Sequence, residues 1–291
     1  MRGKVVVVTG ANAGIGRETA RALARHGATT VLACRNAEKA QRARDDIARS
    51  TGNDDVHVVA LDLSDLDSVE KAAADVLTRW DRLDVLVNNA GGLTTKRQTT
   101  KQGFEQTFGV NHLGPFLLTD RLLDRLKSAA PSRIVNVSSM GSKYAFGGMP
   151  WDDLQLEKPP YKAMNAYMYS KLANVLFTRA LALRLAGTGV DAYAVHPGWV
   201  RSEFAMGDDT SGITKVYMTA MRPFQISPAT GAKTSIHCAS AAEAAGRSGL
   251  YWARSRPATM SKWAKDDADV VRLWDESARL VAAAGFPLAA P

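Results

Sequence analysis

Tyr167 and Lys171 stand four residues apart in Tyr167-Met168-Tyr169-Ser170-Lys171, inside a stretch of strong helix formers. On a helix that spacing stacks both side chains on one face, a turn apart. An ammonium beside a phenol favours the phenolate and predicts a lowered tyrosine pKa. A tyrosine tuned in this way can exchange a proton with an alcohol or carbonyl oxygen. Tyr169 is only two residues from Lys171 and points elsewhere. Two other polar groups suit the same chemistry. The pair Ser138-Ser139 ends an apolar run, and a hydroxyl there can donate to a substrate oxygen. Asn111, in an otherwise apolar helix, is either a satisfied amide or the holder of a relay water.

A second constellation lies near the start. Gly10, Gly14 and Gly16, with Asn12, Ala13 and Ile15 between them, join a valine-rich run to a helix. Glycines there permit a tight turn and let backbone N–H groups approach a pyrophosphate at the helix N-terminus. A purely structural turn is the plainer alternative. After the second apolar run comes Ala33-Cys34-Arg35-Asn36, with no carboxylate to accept from a ribose 2′-hydroxyl. Arg35, with Arg17 just past the last glycine, is placed to meet a 2′-phosphate, a pairing worth about 1.5–3 kcal/mol. The expected cofactor is therefore NADP(H) rather than NAD(H), with Asn36 beside it. Exposed helix-flank arginines are the alternative. Asp62 and Leu63 bracket an adenine or belong to a helix cap region. Asn88-Asn89-Ala90-Gly91 lets the chain pass close under a cofactor or merely braces a turn. No metal site is expected.

These residues need a frame. Short apolar runs at Lys4–Thr9, Thr29–Cys34, Val56–Leu61, Val85–Asn88, Arg133–Ser138, Val190–Val195 and near Leu250–Trp252 read as strands. Helical stretches fall between them, including a single long helix over Gln102–Leu126 and others over Ala163–Leu185, Pro228–Ala239 and Val270–Ala283. Alternation of this kind predicts one α/β Rossmann-like doubly wound domain over 1–291. Its sheet is seven-stranded and parallel, in the order 3-2-1-4-5-6-7. Two loops break the rhythm, at about 140–165 and 198–227, both at carboxyl ends of strands where such sheets bind ligands. Tyr144, Phe146, Met149, Trp199 and Phe204 are expected to form apolar substrate walls there, the first loop acting as a lid. Ordinary packing against the sheet is the alternative for each.

Composition narrows the class. The 291 residues are 46% apolar, enough for a full core, yet no run reaches the length of a membrane span. The first strand begins so early that neither signal peptide nor membrane anchor is expected. Two cysteines, Cys34 and Cys238, argue for a reduced, cytoplasmic setting. The net charge of +8 is dispersed along helices with interleaved acids, so no nucleic-acid partner is expected.

Taken together, the motifs resemble those of the short-chain dehydrogenase/reductase family along nearly the whole chain. They are TGANAGIG at Thr9–Gly16, NNAG at Asn88–Gly91, the asparagine of VNHLG at Asn111, VSS at Val137–Ser139, YMYSK at Tyr167–Lys171 and HPGWV at His196–Val200. Within it the chain is similar to the retinol-dehydrogenase-like NADP-dependent group, through ACRN, NHLGPFLLT, SKLANVLF and RLWDESARLV. The resemblance implies that Tyr167 is the acid in reduction and the base in oxidation. By the same resemblance Lys171 binds the nicotinamide ribose, Ser139 orients the substrate oxygen and Asn111 holds a relay water. Pro197, Gly198, Val200 and Ser202 would receive the carboxamide side of the nicotinamide. Ser202 replaces a frequent threonine, keeping the hydroxyl. The N-terminal membrane segment that some retinoid-metabolising members carry is not expected here.

The expected partner is thus a small apolar carbonyl or alcohol, and the expected assembly a homodimer or homotetramer, with a monomer left open. Family members usually dimerise on the helices at Gln102–Leu126 and Ala163–Leu185. A non-enzymatic NADPH sensor is the alternative from another class, disfavoured because a sensor need not keep Ser139, Tyr167 and Lys171. An epimerase acting on a polar nucleotide sugar is disfavoured by the apolar loops.

Overall fold

Every residue of Val5–Thr9 (β1) is buried, as a strand covered by helices on both faces requires. The computed structural model of the chain describes residues 1–200 and 225–289. Around β1 lie α1 (Gly14–Arg25), β2 (Thr29–Cys34), α2 (Ala37–Thr51), β3 (Val56–Ala60), α3 (Leu66–Arg79) and β4 (Val85–Asn88). The chain continues through α4 (Gln106–Phe108), a π turn (Gly109–Leu113), α5 (Gly114–Ser128), β5 (Ser132–Val137), α6 (Ala163–Arg184) and β6 (Val190–His196). It ends with α7 (Pro228–Ser240), β7 (Tyr251–Ala253), β8 (Arg256–Pro257) and α8 (Asp267–Ala283).

The strands hydrogen-bond in the order β3-β2-β1-β4-β5-β6-β7-β8. The first seven are parallel, and β8 pairs antiparallel to β7. The expected seven strands thus become eight. The extra one is two residues long and turns back through Arg254 and Ser255, at φ of 52° and 56°. A tight hairpin needs that backbone but usually draws it from Gly or Asn, so the sequence carried no turn signal there. Because β1 lies between β2 and β4, the chain reverses direction across the sheet and opens a crevice at the carboxyl ends of β1 and β4.

The long helix expected over Gln102–Leu126 is instead broken. Glu105 is completely buried and caps α4, its carboxylate accepting from the N–H groups of Thr107 (2.9 Å) and Phe108 (2.7 Å). The π turn then brings Asn111 against Gly91 before α5 begins. A Cβ on Gly114 would stand 2.7 Å from the Leu63 carbonyl, so only glycine lets the start of α5 close on the end of β3.

A polar line joins sheet to helix behind the crevice, with Asn88 Oδ1 left without a partner. Asn88 donates to Asn136, Asn136 to Thr178, and Asn174 to the Val137 carbonyl. Two apolar cores flank the sheet, and α8 lies over the one that α5 and α6 share. Its Trp274 meets Phe116 at 5.0 Å and Phe177 at 6.1 Å, and Ser277 bonds the buried His112 at 2.8 Å. Among the described residues, no helix is long and apolar enough to cross a membrane.

Candidate active site

The carboxyl ends of β1, β2, β3 and β4 wall a cleft of about 820 Å³. Gly10, Asn12, Ala13, Gly14, Ile15, Gly16 and Arg17 form its floor, Arg35, Asp62 and Leu63 one end, and Asn89, Ala90 and Gly91 its side. The chain is threaded tightly here. A Cβ on Gly10 would lie 3.0 Å from Ala90, and one on Gly16 would collide with the Asn89 amide and the Gly10 carbonyl. Gly14, at φ 55°, has open space on its Cβ side. Asn89 is held by Thr9, donating to its carbonyl at 2.8 Å, while the Thr9 hydroxyl accepts from the N–H groups of Asn89 and Ala90. The expected bracing role and the expected lining role therefore coexist at Asn89.

The first turn of α1 has no side-chain cap and no acidic residue, so its N–H groups face the cleft without a protein carboxylate. Buried Arg17 Nε lacks a hydrogen-bond partner, and the guanidinium lies 3.6 Å from Glu18. An uncapped helix N-terminus, a cradle that a Cβ would fill and an arginine with its Nε free of hydrogen bonds are what a dinucleotide phosphate requires, and the residues fit a nicotinamide dinucleotide. Asn36 departs from expectation. Its side chain caps α2 by accepting from Lys39 N–H at 2.8 Å, and it is not among the cleft's lining residues. Asp62 accepts from both the N–H and the hydroxyl of Ser64 and orders the turn, while Asp65 rather than Asp62 caps α3.

The residues expected to handle the proton meet where β4, β5 and α6 converge. The Tyr167 phenol lies beside the Ser139 side chain, which favours its ionised form. Ser139 Oγ also accepts from Gly141 N–H at 3.1 Å, and a Cβ on Gly141 would press on the Tyr167 ring at 3.3 Å. Lys171 Nζ, fully buried, donates to the Val137 carbonyl at 3.1 Å and lies 5.7 Å from the centre of the Tyr167 ring. Asn111 is engaged on three sides. Its oxygen accepts from Gly92 N–H at 2.7 Å, and its nitrogen donates to the Gly92 carbonyl and to Ser170 Oγ, both at 2.9 Å. Gly91 keeps the gap narrow, since a Cβ there would be 3.0 Å from Asn111 Oδ1 and 3.3 Å from Lys171 Nζ.

The electrostatics correct one expectation. Burial pushes the Tyr167 phenol up, and the Ser139 side chain only partly opposes it. Burial also drives Lys171 down to about 8. The spacing argument counted the neighbouring ammonium and not the loss of water around both groups, which here dominates. A phenol that stays protonated is a proton donor in waiting.

The comparisons with known proteins agree with this geometry. A family model described as short chain dehydrogenase matches residues 4–151. Retinol dehydrogenase 12 of Homo sapiens is 47% identical over 279 residues, covering 96% of this chain and 86% of the human protein. A putative uncharacterized protein from Mycobacterium Paratuberculosis superposes with a TM-score of 0.77 at 34% identity, over 99% of this chain and 96% of its own. The 3-ketoacyl-(acyl-carrier-protein) reductase from Brucella melitensis, solved in complex with NADH, gives a TM-score of 0.67 at 26% identity, over 87% of this chain and 96% of its own.

The chain belongs to the short-chain dehydrogenase family. It is an oxidoreductase by that membership, and its retinol-dehydrogenase-like character stands on the identity just given.

In this dehydrogenase the loop residues divide. Phe146 is 75% exposed and Tyr144 48%, their rings edge-on at 6.0 Å, and Trp199 is 44% exposed, so all three are free to meet an apolar molecule. Met149 corrects the expectation, being buried in the core at 4% exposure. Nor is the first loop a loose lid. Trp151 Nε1 donates to Asp269 of α8 at 2.8 Å, Arg97 to the Gln155 carbonyl, and Tyr161 to Glu105 at 2.9 Å. Pro197, Gly198 and Val200 follow β6, and Gly231 of α7 leaves room for Val200 and Ile15 to approach. Ser202 and Phe204 lie outside the described residues.

Sequence reasoning missed several residues of the site. Met140, 46% exposed beside Ser139, adds apolar surface. Glu105 offered one usable signal, an acid directly before a helical run. Tyr251, whose hydroxyl donates to the Ser139 carbonyl at 3.3 Å, gave none, since strand contacts across 112 residues leave no local pattern.

Proposed function

We propose that this dehydrogenase interconverts an apolar aldehyde or ketone and its alcohol with NADP(H), Tyr167 carrying the proton. The observation that carries the reading is the convergence of Ser139 and Tyr167 at Gly141, with buried Lys171 one turn along α6, beside the dinucleotide-sized cleft. When bound, the nicotinamide supplies or accepts the hydride at the substrate carbon.

This chain's residues do the rest. In reduction Tyr167 gives its phenol proton to the substrate oxygen, and Ser139 Oγ holds that oxygen by a hydrogen bond. The raised Tyr167 pKa keeps the proton available at neutral pH. The phenolate left behind faces the Lys171 ammonium, which favours it in a water-poor site. Asn111 Oδ1 flanks the same face of Gly91 as Lys171 Nζ and can carry the line along which the proton is replaced.

NADP(H) is supported by Arg35 and Arg17 on the cleft wall and by the lack of any carboxylate at the end of β2. The apolar substrate is supported by exposed Met140, Tyr144, Phe146 and Trp199, and retinal and retinol are the first pair to try because of the human relative's name. The test is the ratio of kcat/KM for NADPH and NADH with retinal and a panel of aromatic and aliphatic carbonyls. Wild type is expected to favour NADPH and the Arg35→Asp variant NADH. Equal efficiency with both cofactors in the wild type would contradict the assignment.

A further inference from the structure

The β5–β6 ladder stops just where the site begins. Val137 pairs with Val195, and the Ser138 N–H still donates to the Val195 carbonyl at 2.8 Å. Beyond that point the two backbones part, Ser139 turning into the short helix Met140–Lys143 and β6 running out into Pro197-Gly198. One side chain spans the gap. His196 Nδ1 accepts from Met140 N–H at 3.1 Å and from Gly198 N–H at 3.3 Å. The imidazole nitrogen thereby replaces the next carbonyl of the ladder, joining the residue after Ser139 to a glycine held at φ 93°.

We infer that His196 is a positioning residue, setting the Ser139 hydroxyl relative to the loop that follows β6. The inference rests on the function proposed above and names a residue to which that reading gave no part.

Three features support it. Accepting two N–H groups at Nδ1 requires an unprotonated nitrogen there, so the neutral ring carries its hydrogen on Nε2. Burial, with Lys143 and Arg254 nearby, holds the imidazole down to about 4 and keeps it in this accepting form at neutral pH. The Ser139 segment is also fixed from its other side, its carbonyl accepting from Ser142 Oγ at 2.8 Å and Tyr251 OH at 3.3 Å. Without His196, the Met140 side of that clamp loses its only bond across to β6 among those described. A shift of the Ser139 hydroxyl lowers turnover more than binding, because the residues that line the dinucleotide-sized cleft come mainly from the glycine turn and the ends of β2, β3 and β4.

Asparagine and glutamine separate positioning from filling. The Oδ1 of Asn sits where Nδ1 of His does, whereas the acceptor of Gln reaches the place of Nε2. His196→Asn, His196→Gln and His196→Ala would each be read three ways. The measurements are amide hydrogen exchange at Met140 and Gly198 in cofactor-free protein, the NADPH dissociation constant, and kcat. In His196→Asn, both amides are expected to stay protected and kcat to remain near wild type. In the Gln and Ala variants, both amides should exchange about tenfold faster or more and kcat should fall by about as much, with the NADPH dissociation constant nearly unchanged. Equal behaviour of the Asn and Gln variants would overturn the inference, as would loss of amide protection with kcat intact. Absence of NADPH-dependent turnover in wild type would instead overturn the proposed function, while the exchange data would still report whether His196 holds the two amides.

Discussion

Lys171 shows most sharply how one residue can serve a site against the fold. Its charge is buried, and its pKa falls from 10.5 to about 8. That displacement corresponds to about 3 kcal/mol of native-state cost while the amine is protonated. Its bond to the Val137 carbonyl is duplicated by Asn174 at 3.1 Å. Lys171→Met is therefore expected to abolish turnover and yet match or exceed the wild type in stability at pH 7. The sign follows from the depressed pKa. The cost is fully present below the folded value near 8 and is lost as pH rises to the unfolded value of 10.5. The Tm advantage of the Met variant should shrink across that window. Thermal melts between about pH 6 and pH 10 check it, and a Met variant far less stable at pH 7 would oppose it. The same residue marks what spacing conveys. The Tyr167–Lys171 stack was legible because helix geometry is local. The rise in the Tyr167 pKa was not, because burial depends on strands and helices that no four-residue pattern describes.

At the scale of elements, the first loop and the π turn share an anchor. Glu105 takes two backbone N–H groups of α4 and the Tyr161 hydroxyl at the loop's far end, while its own N–H donates to Gln155. Removing this carboxylate leaves the buried N–H groups of Thr107 and Phe108 without a partner and the Tyr161 hydroxyl with Thr94 alone, at 3.4 Å. Glu105→Ala should lower unfolding free energy by about 2–4 kcal/mol, read from urea melts. It should also reduce turnover, since Asn111 sits in the turn that Glu105 begins. Tyr161→Phe, which removes one hydroxyl and leaves both N–H groups of α4 capped by Glu105, should cost about 1 kcal/mol or less. An equal loss in the two variants would show that the cap is not the important contact. This anchoring explains why the loop read as a lid in sequence. Its glycines, prolines and apolar residues were visible, but the partners that pin it, Glu105, Arg97 and Asp269, are distant in the chain. The break in the long helix was hidden for a related reason. A π turn keeps the apolar pattern of a continuous helix, and Gly109 and Gly114 signal close packing only once Thr100 and Leu63 are seen opposite them.

For the whole molecule, the parallel sheet and the crevice at β1 and β4 were readable from alternating apolar runs and the glycine turn. The edge hairpin and the course of α8 were not. This last helix covers the core between α5 and α6, burying Val270, Leu273 and Val281, and closing over Phe116 and Phe177 with Trp274. It also reaches the site's supports, through Asp269 to Trp151 and through Ser277 to His112, the neighbour of Asn111. Ending the chain after Asp266 should expose this core and abolish cooperative unfolding, seen as a lost thermal transition and increased binding of a hydrophobic dye. A truncated chain that melts like the full one would show that α8 is dispensable to the fold.

The central claim is that Tyr167 handles the proton at a carbonyl bound beside a nicotinamide. Its most direct test is turnover of retinal or another accepted carbonyl with NADPH by Tyr167→Phe, measured together with the NADPH dissociation constant. Phenylalanine keeps the ring that packs on Gly141 and removes only the hydroxyl. The account predicts that kcat falls by about 10²–10⁴-fold, the range typical of a general acid, while the dissociation constant stays close to that of the wild type. A variant that retains more than about a tenth of the wild-type kcat would contradict it.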